Sequence, residues 1–214
     1  MSTQIFTLPL RPESGAVYPQ TVLSTQAAGA RDKEIWAVIP AEAISWHRVN
    51  LPAGLQKQSN RMAAVLQSLM EERLLDEPDL LHLSLQPEWQ ANSPAWVAAC
   101  NKAWLQQHLA QLQAKGHVVH RIVPECAPVS QSGAMSAWVS GAPEDAWLWV
   151  SDTQEAWRLP LEAGVKFWIE KIQSAAIKQD IPANLVIQAD PAVAALAQKA
   201  LHQMQTFNQT DTTD

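Results

Sequence analysis

Few residues of this 214-residue chain have the type and spacing to do chemistry. His117 and His120 lie three apart, the first just before and the second within the stretch Val118 to Val123, which reads as a strand. Residues three apart on a strand face opposite ways, so the pair makes poor metal geometry. Cys100 sits beside Asn101 and with a histidine would form a thiol nucleophile, but it closes the apolar run Ala95 to Cys100. A cysteine there acts as a small hydrophobe. Cys126, after Pro124 and Glu125, receives no role. The patterns GxGxxG, GxxxxGK[ST], HExxH and CxxC are all absent. Glycine occurs only seven times, which weakens nucleotide binding, because phosphate loops need glycine for close backbone approach. No catalytic, cofactor-binding or metal-ligating residue is assigned.

One charged group remains. Glu71, Glu72, Asp76, Glu77 and Asp79 cluster around Arg73, beside the apolar Leu74, Leu75, Leu80 and Leu81. Such a run is commonly a solvated helix end, and a calcium loop would need a spacing and a turn glycine that are missing. The functional alternative is a docking edge, with leucine anchors inside a polar rim. Its candidate contact residues are Glu71, Glu72, Leu74, Leu75, Asp76 and Glu77. Tryptophan occurs ten times and tyrosine once; Trp36, Trp46, Trp96, Trp147 and Trp149 fall in strand-like runs. Packing in a core or interface suits them better than stacking on a sugar.

The elements that must position these residues follow from periodicity. Residues 3–9 predict a first strand, and Tyr18 to Leu23 a short one within an irregular stretch, 11–33. The apolar run 34–39 predicts a buried strand and the alternating 44–51 a half-exposed one; the two could pair as a hairpin across Pro40 to Ala43. Leu55, Met62, Leu66, Leu69 and Met70 predict a helix from Leu55 to about Arg73. Its Lys57 and Arg61 come first and Glu71 and Glu72 last, against the helix dipole. Strands are expected at Leu80 to Leu85 and Ala95 to Cys100. A helix capped by Asn101 and stopped by Gly116 leads on to Val118 to Val123, suggesting a parallel βαβ unit. A linker-like stretch, 130–136, separates a first α/β subdomain, 1–128, from a second, smaller one, 129–214. The latter should hold strands at 137–140, 146–151, 156–161 and 184–188, helices at 162–179 and 192–205, and a polar tail, Phe207 to Asp214.

Composition bounds the class. Hydrophobic residues make up 47% and charged residues 17%, so the chain is globular. The net charge of −6 comes without a basic stripe, against nucleic acid and against anionic lipid. Two cysteines make no disulfide framework, Met1 to Leu10 is not a signal peptide, and no run reaches the ~18 apolar residues of a membrane span. A reducing cytoplasm is the expected compartment.

Several blocks resemble the cytoplasmic region of type II secretion system protein L (GspL). They are Trp36-Ala-Val-Ile-Pro-Ala-Glu-Ala-Ile-Ser-Trp-His-Arg-Val-Asn-Leu-Pro, then Leu69-Met-Glu-Glu-Arg-Leu-Leu-Asp-Glu-Pro with Leu81-His-Leu-Ser-Leu, then Trp96-Val-Ala-Ala-Cys-Asn-Lys-Ala-Trp-Leu with Arg121-Ile-Val-Pro-Glu. They keep their order across 34–128, and the region from Trp147 to Leu161 fits more loosely. The resemblance implies an α/β, actin-like (ribonuclease-H-like) fold with mixed sheets flanked by helices, similar to type IV pilus protein M, with the second subdomain reduced. It implies a scaffold, not an enzyme, that recruits the secretion ATPase GspE through its N-terminal domain. It also implies contacts of the full-length protein with protein M and inner-membrane protein F, and a homodimer is compatible with work in a ring. The implied location is the cytoplasmic face of the bacterial inner membrane. The chain stops at Asp214 before any membrane helix, which reads as an excised cytoplasmic domain. Two alternatives stand against this. An active actin-like ATP-binding enzyme lacks its phosphate loops here, where Ser14-Gly15 is all the first hairpin region offers. A hydrolase would have to use Cys126 or a carboxylate pair.

Overall fold

A computed structural model describes residues 2–11, 18–24, 33–56, 61–128, 136–152, 154–176 and 186–210. Ser14, Gly15 and Lys57 lie outside them, as do most of the 130–136 stretch and the tail beyond Thr210. The chain divides into two compact units, Met1–Ala127 and Pro128–Asp214.

The first unit holds β1 (Ser2–Thr7), β2 (Gln20–Ser24), β3 (Lys33–Ile39), β4 (Ser45–Asn50), α1 (Met62–Met70), β5 (Leu81–Leu85), β6 (Pro94–Asn101), α2 (Lys102–Ala114) and β7 (Arg121–Pro124). These strands form two sheets, ordered β2-β1-β3-β7 and β4-β6-β5. In the first, β1 is antiparallel to β2 and parallel to β3, and β3 is parallel to β7. Alternation puts Ile35, Ala37 and Ile39 of β3 on one face with Phe6 and Leu8. Leu105 and Leu112 of α2, seven apart on one helical stripe, close that core. The second sheet is antiparallel throughout. Its Val49, Ala95 and Val97 pack with Leu66 and Met70 of α1 in a separate core. Burying each such side chain contributes on the order of 1.5–3 kcal/mol.

Four local expectations change. First, β3 and β4 do not pair as a hairpin; they lie in different sheets, with a 3-10 turn, Ala41–Ala43, between them. Both edges of β3 are already taken, by β1 and β7. Glu125 secures the exit, its N–H donating to the Ile39 carbonyl and its Oε2 accepting from Ala41 N–H at 2.8 Å. Second, β6 and β7 are not a βαβ pair, because they belong to different sheets. Third, the strand expected from Val118 begins at Arg121. His120 replaces a ladder rung, with its own N–H on Ile35 O (2.8 Å) and its Nδ1 accepting from Ile35 N–H (3.1 Å). The expected helix from Leu55 is also shorter, since Leu55 and Gln56 precede α1 without helical structure.

The second unit holds β8 (Ser136–Ala142), β9 (Asp145–Ser151), β10 (Ala156–Pro160), α3 (Leu161–Ala176), β11 (Val186–Ala189) and α4 (Ala194–Thr210). Strands β8, β9 and β10 form an antiparallel meander, and β11 returns parallel to β8, giving the order β10-β9-β8-β11. A meander, a helix and a parallel strand beside the meander's first strand is the ribonuclease-H-like arrangement. Ala137, Val139, Leu148 and Val150 form the inner face, covered by Val165 and Trp168 of α3 and Ala197 and Ala200 of α4. Helix α4 carries Phe207 to Thr210, the first half of the expected polar tail. The fold is therefore α/β, with mixed sheets flanked by helices.

Candidate docking site

The acidic edge starts where α1 stops. Leu66 and Met70 are buried, and the helix ends once Met70 reaches the core. Glu71 N–H closes the last turn on Gln67 O at 3.0 Å. Arg73 and Leu74 both donate their N–H groups to Met70 O, at 2.9 and 3.1 Å. The chain thereby wraps round one carbonyl and satisfies a helix end that has no capping glycine. Two side chains pin the turn from outside. Arg73 Nη1 donates to Arg48 O of β4 at 2.7 Å, and Gln67 Nε2 donates to Asp79 Oδ1 at 2.8 Å. A short 3-10 turn, Pro78–Leu80, then leads into β5.

On this frame Glu71, Glu72, Asp76 and Glu77 are exposed. Leu74 is half-buried against the α1 core. Leu75 stands fully in solvent, at 108% of its reference exposure, and Leu80 is also exposed. The pinned turn thus holds Leu75 outward among four carboxylates.

Arg73, Leu74, Leu75 and Asp76 also line an open groove of about 840 Å³. Ile44, Ala99, Ala103 and Trp104 line it too, together with Glu42. Glu71, Glu72 and Glu77 do not line it. The Trp104 ring is fixed by its Nε1, which donates to Leu10 O at 2.9 Å, and its backbone N–H by the Asn101 cap at 2.9 Å. His47 reaches in from β4, with Nε2 2.9 Å from Ser45 Oγ. Burial first, and the Arg73 charge second, lower its affinity for a proton. Sequence reading missed the groove, because its walls come from separated stretches; only Trp104, beside the cap, carried a local signal.

Of the residues considered for chemistry, Cys100 also lines the groove, and the two histidines lie elsewhere. His117 packs on Phe6 with ring centroids 4.7 Å apart, while His120 is bound to β3. Among the described residues no three His, Cys, Asp or Glu side chains gather as metal ligands. Both thiols are buried, and burial pushes that of Cys100 up to about 11, so it is almost wholly protonated near neutral pH.

Residues 13–207 match the family described as type II secretion system protein L. The chain belongs to that family. It is thus a protein L component of the type II secretion system. No curated protein matches it. Among solved structures, the cytoplasmic domain of EpsL, an inner membrane component of the type II secretion system of Vibrio cholerae, shares 16% identity. The likeness covers 96% of this chain and 95% of that one, with a TM-score of 0.56, and it shows the fold. A Bacteroides thetaiotaomicron protein with an actin-like ATPase fold and unknown function is 8% identical over 96% and 88% of the two chains, at a TM-score of 0.46. A PilM-PilN type IV pilus biogenesis complex is 12% identical over 82% and 56%, at 0.37. For this family member, no helix among the described residues is long and apolar enough to cross a membrane.

Proposed function

We propose that this protein L chain is a non-catalytic scaffold that holds the secretion ATPase, GspE, at the cytoplasmic face of the inner membrane. The contact is the edge formed by Glu71, Glu72, Leu74, Leu75, Asp76 and Glu77, and the partner surface is the ATPase N-terminal domain. In the full-length protein, protein M and inner-membrane protein F are the further partners, and a homodimer forms within the ring. Family membership supports the setting, and the EpsL relative is itself an inner membrane component. The observation that carries the contact is Leu75, exposed at 108% on a turn whose backbone is bonded to Met70 O and whose side chains are tied to β4 and α1. Pre-ordering lowers the entropy that a partner must otherwise remove on binding.

The test is calorimetric titration of the chain with the N-terminal domain of its cognate secretion ATPase. Glu71→Lys combined with Glu72→Lys is expected to weaken binding at least about tenfold, roughly 1.4 kcal/mol. Both side chains are exposed, so the fold should tolerate the change. Unchanged affinity in the double variant removes the edge from the contact.

A further inference from the structure

The fold splits the acidic run. Glu71, Glu72, Asp76 and Glu77 are exposed and belong to the docking edge. Asp79 is tied into the chain instead: its Oδ1 accepts from Gln67 Nε2 at 2.8 Å. Gln67 is a half-buried residue in the last turn of α1. Its carbonyl accepts the Glu71 N–H that closes the helix, and its side chain reaches twelve residues onward to the far end of the turn. One residue therefore holds both ends of the segment that carries the edge. The middle of that segment has no such support of its own. Arg73 and Leu74 bond to Met70 O before it, and Leu80 bonds to Glu77 O after it. Among the described residues, Leu75 and Asp76 make no backbone hydrogen bond. Arg73, on Arg48 O, fixes the start of the turn, and Gln67 with Asp79 ties its end back to α1. An amide donor on a carboxylate is a charge-assisted bond, stronger than a neutral pair. Without it the segment is fastened by its side chains at one end, and a partner must order the rest on binding.

We infer that Gln67 and Asp79 are positioning residues of the docking edge: their hydrogen bond keeps Leu75 and Asp76 in the arrangement presented to the partner. Asp79 acts as an acceptor within the chain and not as a charge offered to the ATPase. The inference rests on the edge reading and adds to it two residues that lie outside the six of the contact.

The test is calorimetric titration of the full chain with the N-terminal domain of the cognate secretion ATPase. Gln67→Met removes the donor while keeping charge and side-chain length. Asp79→Ala removes the acceptor, and Asp79→Asn keeps an acceptor oxygen while removing the charge. Gln67→Met and Asp79→Ala are each expected to weaken binding about fivefold, with Asp79→Asn close to wild type. The Gln67→Met, Asp79→Ala double variant should bind no worse than the weaker single one, because both changes break the same bond. In the free chain, NMR order parameters of the Leu75 and Asp76 amides should fall in Gln67→Met. Wild-type affinity in Gln67→Met and Asp79→Ala, with the Glu71→Lys, Glu72→Lys pair binding poorly, overturns the positioning role and leaves the edge reading standing. Equal losses in Asp79→Asn and Asp79→Ala also overturn it, since Asp79 would then act through its charge. Wild-type affinity in the charge-reversed pair removes the edge, and the positioning role falls with it.

Discussion

A single buried imidazole shows how tightly the first unit constrains its polar groups. His108 on α2 is fully buried. Tyr18 donates its hydroxyl to Gln111 Oε1 at 2.6 Å, so the Tyr18 oxygen accepts from His108 Nδ1, 2.9 Å away. Trp104 meets the imidazole edge-on, and the Lys115 ammonium lies 4.8 Å from the centre of the Tyr18 ring. Burial lowers the His108 pKa, and the Pro9 backbone opposes this as the smaller effect. A histidine whose folded pKa lies below its unfolded value favours the folded state only while it is neutral. The stabilisation is complete above the unfolded pKa of about 6.5 and is lost as pH falls towards the folded value. Chemical denaturation between about pH 7.5 and 5 should show stability falling with acid, and His108→Gln should flatten that slope. An unaltered slope in the variant would assign the acid sensitivity to other groups.

Among the elements, α2 bears on both the fold and the groove. Asn101 accepts from Trp104 N–H at 2.9 Å and so sets the first turn, whose Ala103 and Trp104 line the groove. Asn101→Ala should cost about 1 kcal/mol of stability, measurable by urea denaturation. The other end of α2 behaved as its sequence suggested, with Gly116 at φ +81° just past the last turn. The end of α1 did not. Its acidic C-terminal residues oppose the dipole, and the turn closes on the Met70 carbonyl without glycine, held by Arg73 and Gln67. Packing of Leu66 and Met70 outweighs the few tenths of a kcal/mol that the dipole conflict costs.

For the whole molecule, the scaffold reading predicts the absence of nucleotide chemistry. Titration with ATP and magnesium should give no saturable heat; a saturable signal would favour the ATP-binding alternative. Much of the architecture was legible in one sequence. The strands at 2–7, 81–85, 94–101 and 145–151 and helix α2 follow from periodicity and caps, which are properties of neighbouring residues. The family resemblance also rested on ordered local blocks. Which strands share a sheet was not legible. Trp36-Ala-Val-Ile reads as half of a hairpin with the following strand, yet β3 takes β1 and β7 as neighbours, and β4 joins β6 and β5. Every strand edge offers the same N–H and C=O groups, so pairing is decided by which apolar faces can be buried together across long chain separations. The same holds for the candidate site. The sequence by itself determined that Glu71 to Glu77 would be an acidic, leucine-bearing stretch beyond a helix. Only the tertiary structure decided that Leu75 points outward, that Arg73 is bonded to β4, and that Ile44, Ala99 and Ala103 line one groove with them. Those positions depend on contacts between residues far apart in the chain, and local sequence carries no record of them.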